Sequence, residues 1–292
     1  MPAQDMVREW RDVKSSYAEE IAEEEQRVGL RHKVSSALSW SRLYGGSVVL
    51  MLTNQDLEKP LDVNKIGKGD LKRLLVFDRW DLSYPFMNTT NVLAENYLQP
   101  EFYTIYQGAQ KIHWTHFARF NGEKLPLRQM QYTQGWGDSV LRKCLEDVTD
   151  TVAGKNGIAE LLQEANVDVI TADGLQEQLA SDQDENIIKR YQMFSQMKSV
   201  IQMALLDGNE KFDRKTLSLG GVAPVLELFI TWISGAARIP VTKLFGTSAK
   251  GLNATGEGDL KTYYDDIRAM QFNTLEQPMR TLDEVVVRAA RS

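Results

Sequence analysis

The sequence predicts an α+β fold in which a mixed half of helices and short strands precedes a mostly helical half. Three observations carry this. Two short apolar runs, Ser47-Val-Val-Leu-Met-Leu-Thr53 and Leu74-Leu-Val-Phe77, follow turn residues and read as buried strands. From residue 138 onward, apolar positions recur at separations of three and four, the period of a helix face. The 292 residues are 42% hydrophobic and 25% charged, an ordinary globular composition with room for one large domain or two smaller ones.

The elements follow in order. Met6, Val7, Trp10, Val13, Tyr17 and Ile21 mark one helical face over residues 4–26, with Glu19, Glu20, Glu23, Glu24 and Glu25 solvated outside it. A second helix, over 30–43, stops at Gly45-Gly46 and hands over to the strand at 47–53. Residues 54–73, rich in Asn, Asp, Pro, Gly and Lys, read as an exposed loop before the strand at 74–77. Residues 100–106 are extended. The stretch 111–120, Lys-Ile-His-Trp-Thr-His-Phe-Ala-Arg-Phe, alternates like a strand and ends at an Asn121-Gly122 turn signal. These strands are close enough in sequence to pair antiparallel.

Asp138 or Ser139 can cap a helix carrying Val140, Leu141, Cys144, Leu145, Val148 and Val152; its pattern loosens at Gly154 and Gly157 and resumes at Ile158. Val167-Asp-Val-Ile170 is a short strand, 184–206 a longer helix, Asp207-Gly208 a turn, and 210–219 extended. Gly220-Gly221 opens a helix apolar nearly all round (Val222, Val225, Leu226, Leu228, Phe229, Trp232, Ile233, Ala236), with Pro224 tolerated in its first turn. Such a helix must be covered on most sides, by its own fold or by neighbouring subunits. Thr247 to Gly258 reads as a flexible loop, and Asp259 as the cap of a last helix over 260–290.

Net charge is −6, from 34 basic and 40 acidic residues. That balance argues against a tight grip on nucleic acid, because phosphate neutralisation supplies most non-specific affinity. The lone cysteine, Cys144, has no internal disulfide partner. No apolar run approaches the roughly 20 residues of a spanning helix, and the N-terminus lacks a basic-then-apolar signal pattern, so no membrane is expected.

Catalytic motifs are scarce. His113 and His116 stand three apart on a strand-like segment, hence on opposite faces, and no further ligand completes a metal site. His113-Trp114-Thr115 matches one His-x-Thr half-motif of the 2H phosphoesterases. Neither His32-Lys-Val nor His116-Phe-Ala supplies the second half. In Gly246-Thr-Ser-Ala-Lys-Gly251 the lysine precedes the glycine, contrary to a phosphate loop. The expectation is no enzyme, no metal and no cofactor.

Several segments carry a resemblance: Arg42-Leu-Tyr-Gly-Gly-Ser-Val-Val-Leu, Leu98-Gln-Pro-Glu-Phe-Tyr, Ile112-His-Trp-Thr-His-Phe-Ala-Arg-Phe, Gly135-Trp-Gly, and above all the run from Ala236 to Asp259 with Ile-Pro, Leu-Phe-Gly and Gly-Leu-Asn-Ala-Thr-Gly-Glu. Over nearly the whole chain they resemble tailed-bacteriophage portal proteins, whose members extend further at both ends, so the resemblance implies a trimmed core or short relative. It implies a portal-type fold: a mixed α/β wing (1–134), a first stem helix (135–165), a small α/β clip (166–220), a second stem helix (221–239), a tunnel loop (240–259) and a helix returning to the wing (260–292).

The implied function is a homo-oligomeric ring of about twelve subunits, closed by heterologous contacts, that conducts double-stranded DNA during packaging and ejection and joins head to tail. Lys243, Thr247, Ser248, Lys250 and Asn253 would be the tunnel-loop residues facing DNA. Asp182, Asp184, Glu185, Lys189 and Arg190 would form the clip surface for partners. The partners implied are the terminase large subunit, head-completion or adaptor proteins, and major capsid or scaffold proteins. The ring would be assembled in the host cytoplasm and sit at a virion vertex. The alternatives are a 2H-type phosphodiesterase acting on cyclic nucleotides, or a degenerate prophage remnant.

Overall fold

In the computed structural model three helices open the chain: α1 (Pro2–Met6), α2 (Ala18–Val28) and α3 (Leu30–Tyr44). The structure describes all residues except 85–86, 107, 165, 172–183, 202–210, 217–219, 247–256 and 292. The single helix expected over 4–26 is therefore broken. Residues 7–17 leave the helix because their side chains are held from far away: Trp10 Nε1 donates to Glu25 Oε2 at 2.6 Å, and the Arg11 guanidinium bridges Glu25 and Asp283. Local periodicity carries no record of that pairing.

Helix α3 stops where expected, at Gly45 in the left-handed region (φ 84°). Strands β1 (Gly46–Leu52), β2 (Arg73–Asp78), β3 (Leu82–Ser83), β4 (Phe102–Ile105), β5 (Ile112–His113) and β6 (Phe117–Asn121) follow. They form two antiparallel sheets in the orders β2-β1-β6 and β3-β4-β5. The first sheet explains the unbroken apolar run of β1. Val49 and Met51 face a core with Val34, Leu38, Phe120 and Leu282, while Val48 and Leu50 face a second cluster with Tyr103, Phe117 and Trp136. A strand covered on both faces has no need to alternate.

The strand expected over 111–120 is interrupted by one 3-10 turn, Trp114–His116, so His113 and His116 are not set on opposite faces by a continuous pleat. Asn121-Gly122 makes no hairpin either. Gly122 is instead a close approach, where an added Cβ would lie 2.6 Å from the Ser41 carbonyl oxygen and 2.4 Å from that of Asp138. At Gly46 an added Cβ would lie 2.2 Å from Trp136 Cε3. The glycine motifs at 45–46, 122 and 135–137 thus meet at one joint, closed by the isolated bridge Glu123↔Asp138.

Helix α4 (Leu127–Tyr132) has no counterpart in the sequence reading, and α5 (Val140–Glu164) is one helix of 25 residues. Ser139 Oγ accepts the Leu141 N–H at 3.1 Å, so the serine takes the cap. The helix runs through Gly154 because that position receives a ring: an added Cβ would lie 2.6 Å from Phe229 Cε2.

The chain divides into two units, Met1–Thr149 with Ile230–Ser292, and Asp150–Phe229. The second holds β7 (Asn166–Thr171), α6 (Asp184–Ile201) and β8 (Lys211–Thr216), with β7 and β8 antiparallel from Asn166↔Thr216 to Thr171↔Lys211. The turn expected at 207–208 lies outside the described residues.

Helix α7 (Val222–Ala237) is followed by α8 (Val241–Phe245), α9 (Glu257–Met270), a π-helical segment Gln271–Leu275, and α10 (Glu276–Ala290). Helix α9 starts at Glu257, so Asp259 lies inside the first turn rather than at the cap. The π segment has a local cause: Pro278 offers no N–H to the Thr274 carbonyl, and the helix widens just before it. Leu282, Val285, Val286 and Ala289 of α10 then complete the main core. No helix among the described residues is long and apolar enough to cross a membrane.

Candidate functional site

The apolar positions of α5 split into two sets. Cys144 is buried and Val140 packs against the main core. Leu141, Leu145, Val148 and Val152, spaced four, three and four apart, occupy another face and are 55%, 64%, 41% and 52% exposed. Helix α7 repeats the pattern: Ser234 and Ala237 are buried, whereas Val225, Leu228 and Trp232, spaced three and four apart, remain nearly half exposed. On α6, Ile188 and Met193 are also exposed. Scattered exposed leucines are ordinary; ordered stripes on successive helices mark an interaction surface. Burying the exposed half of each such side chain contributes roughly 1 kcal/mol.

Lys243 stands on α8, not in an irregular loop. Its Nζ pairs with Asp5 Oδ2 at 2.5 Å and lies 4.3 Å from the centre of the Tyr263 ring. The Tyr263 hydroxyl donates to the same Asp5 oxygen. One carboxylate of α1 therefore ties α8 to α9, the two helices flanking residues 247–256. Burial works against the Asp5 charge, but the hydrogen bonds from Lys243 and Tyr263 hold its carboxyl below the usual range. Burial, together with Asp5, pushes the Tyr263 phenol well up. Sequence reasoning missed this group, since Asp5 is separated from Lys243 by 238 positions and from Tyr263 by 258.

Thr247, Ser248, Lys250 and Asn253 lie outside the described residues, as does Asp182. Asp184 and Glu185 are the first two residues of α6. Lys189 and Arg190, one turn on, are exposed.

The two histidines of the 111–120 segment are buried in the fold. His113 Nδ1 is 2.8 Å from Thr115 Oγ1, and that same hydroxyl oxygen accepts the Leu61 N–H at 2.8 Å. His116 Nε2 bonds the Lys59 carbonyl at 2.9 Å. Burial lowers the pKa of both imidazoles. Both thus tie the loop at 54–61 to the sheets. His32 is exposed on α3. Among the described residues no group of three His, Cys, Asp or Glu side chains is placed to hold a metal.

A family model described as phage portal protein matches residues 1–292. The chain is 34% identical to a Caulobacter sp. (strain RHG1) protein named anti-CBASS protein Acb1, over 98% of this chain and 48% of that protein. It is 30% identical to an uncharacterized Haemophilus influenzae protein, over 97% of this chain and 65% of that one. The chain thus spans about half to two thirds of the length of these curated relatives. Among solved structures, a chain in the neck of a native gene transfer agent particle, computed with C12 symmetry, superposes with a TM-score of 0.54 at 15% identity, over 87% of this chain and 67% of that one. This last likeness is one of fold.

Proposed function

Because the chain belongs to the phage portal protein family, we propose that it is the subunit of a closed ring that conducts double-stranded DNA and joins head to tail in a virion. The single observation carrying this reading is the pair of exposed apolar stripes, Leu141/Leu145/Val148/Val152 on α5 and Val225/Leu228/Trp232 on α7. A neighbour placing one face against a different face, repeated around an axis, covers such stripes in every copy and closes without leftover ends. The C12 symmetry of the gene transfer agent neck supports about twelve copies. A net charge of −6 suits a channel through which DNA slides, since dense phosphate clamps would hold it.

In this reading the protein is a conduit, without metal, cofactor or catalytic step of its own. Residues 240–259 with Thr247, Ser248, Lys250 and Asn253 face DNA, and Lys243 fixes the base of that segment through Asp5. The clip, 166–220, meets the terminase large subunit during packaging and head-completion proteins afterwards; capsid or scaffold proteins meet the wing. Negative-stain images of the purified chain test the ring directly. Closed particles with a central hole support it, and their absence at every concentration overturns it. Reversing Asp182, Asp184 and Glu185 to lysine tests the clip, where unchanged terminase and adaptor binding would remove the docking role.

A second reading rests on the His113-Trp114-Thr115 half-motif, in a chain one of whose relatives is named anti-CBASS protein Acb1. A 2H-type phosphodiesterase acting on cyclic nucleotides would use His113 and Thr115. Against it stand the burial of His113, the bond from Leu61 N to Thr115 Oγ1, and the absence of a second His-x-Thr in the sequence. Turnover of cyclic oligonucleotides that His113→Ala abolishes would establish it.

A further inference from the structure

A cavity of about 570 Å3 lies at the glycine joint, between α3, the end of β6, the start of α5, the end of α7, and α9. Its charges do not balance. Glu123 receives Lys143 Nζ at 2.5 Å and Arg42 Nη1 at 3.9 Å. Arg238, also lining the cavity, acts electrostatically on both Arg42 and Glu123. Arg42 and Glu123 are largely enclosed, with 15% and 19% of their side chains exposed. Arg42, Lys143 and Arg238 thus gather round one carboxylate, and with Arg119 and Lys124 also lining the cavity, five cations face only Glu123 and Asp266, leaving three positive charges unmatched. Burial lowers the Arg42 pKa, the direction expected of a guanidinium short of counter-charge.

Arg238 adds an independent observation. It ends α7 with φ 54°, a left-handed position where glycine is the ordinary residue, and its N–H bonds the Gly235 carbonyl at 3.1 Å. A cation stands where a backbone cap alone would favour glycine. The rest of the wall mixes the apolar Met6, Leu38, Leu125, Met130 and Met270 with the polar Asn121, Asn273, Thr274 and Gln277.

We propose that this cavity binds a phosphate dianion, either free or as the terminal phosphate of a nucleotide. A phosphate monoester carries about −1.5 to −2 at neutral pH, which offsets half or more of the unbalanced charge, whereas one further carboxylate offsets a third of it. Arg238 supplies a planar fork that suits phosphate oxygens, Arg42 offers the guanidinium edge at Nη1 while its Nη2 donates to the Ala237 carbonyl, and Lys143 supplies a point charge. A volume of about 570 Å3 exceeds what the ion alone requires and falls in the range of small-molecule sites. The mixed wall would then take the nucleoside, its apolar side chains against the base and its amides within reach of the base and ribose polar atoms.

The test is thermal unfolding of the full chain against inorganic phosphate, AMP, and sodium chloride at matched ionic strength. The wild-type chain is expected to gain melting temperature saturably with phosphate and not with chloride. Tighter binding of AMP than of phosphate assigns the nucleotide source, and equal or weaker binding assigns the free ion. Arg238→Gly is the decisive variant: it should melt at or above the wild-type temperature without ligand, because glycine suits the left-handed cap, yet bind phosphate at least tenfold more weakly. Lys143→Gln should weaken binding similarly. An equal shift from chloride, or wild-type phosphate affinity in Arg238→Gly, would show the cluster to be a structural ion-pair network only.

Discussion

The two units of this chain are built on opposite terms with solvent. Residues 1–149 and 230–292 contain every buried apolar side chain among the described residues, from Ala3 through Val49 and Trp136 to Leu282 and Ala290. Residues 150–229 contain none of them, and instead expose Val152, Leu161, Leu162, Ile188, Met193, Val225 and Leu228. The first unit is a domain closed by its own core. The second presents amphipathic helices with exposed apolar side chains among its described residues, the arrangement the proposed ring would cover.

The sharpest way to break that comparison is one kind of substitution made in both units. Gly46→Val drives a side chain into Trp136, where even a Cβ would lie 2.2 Å from the ring, and should cost more than about 4 kcal/mol in urea unfolding. Gly157→Ala on α5 meets nothing within 4 Å and should instead stabilise by about 0.5–1 kcal/mol through helix propensity.

Leucines give the next largest contrast. Leu282→Ala, fully buried, should lose about 2–5 kcal/mol. Leu228→Glu in the second unit, combined with Leu145→Glu on the part of the α5 stripe that belongs to the first, should change the unfolding of the isolated subunit by no more than about 0.5 kcal/mol per site while abolishing assembly in sedimentation.

Asp5→Asn removes one carboxylate that serves both Lys243 and Tyr263, for an expected loss of about 1–2 kcal/mol at neutral pH. The folded pKa of Asp5 lies below the ordinary 3.8, so its contribution is complete above that value. It disappears as the pH falls through the folded pKa, and the gap between wild type and variant should close there. Amide exchange should rise in α8 and α9, leaving the sheets unchanged.

The smallest effect concerns His116. Its folded pKa lies below the ordinary 6.5, so the unfolded chain takes up the proton first and stability falls as the pH drops below that value. His116→Gln should flatten urea midpoints measured between pH 6.5 and 5.

Much of this contrast was legible in the sequence, and the illegible parts share a cause. The doubly covered β1, the stop of α3 at Gly45 and the all-round apolar α7 are written in local residue order. So were the glycine motifs, although their convergence on one joint was not. The break at residues 7–17 depends on Arg11 meeting Asp283, and the fixing of Lys243 on Asp5, both pairs separated by more than 200 positions. Leu141 and Cys144 look alike to a periodicity argument, yet one faces solvent and the other the core. The interruption at Trp114–His116 follows from His113 capping its own turn, which alternation conceals. Pro278 was a readable cause of the π segment, through its missing N–H.

The central claim is that the exposed stripes are subunit contacts. Light scattering over a range of protein concentrations measures it most directly, with wild type beside the Leu145→Glu, Leu228→Glu double variant. The wild-type chain should form a discrete particle of about twelve subunits, while the variant stays at 33.2 kDa. A wild-type chain that remains monomeric at every concentration, or a variant that assembles equally well, would contradict the account.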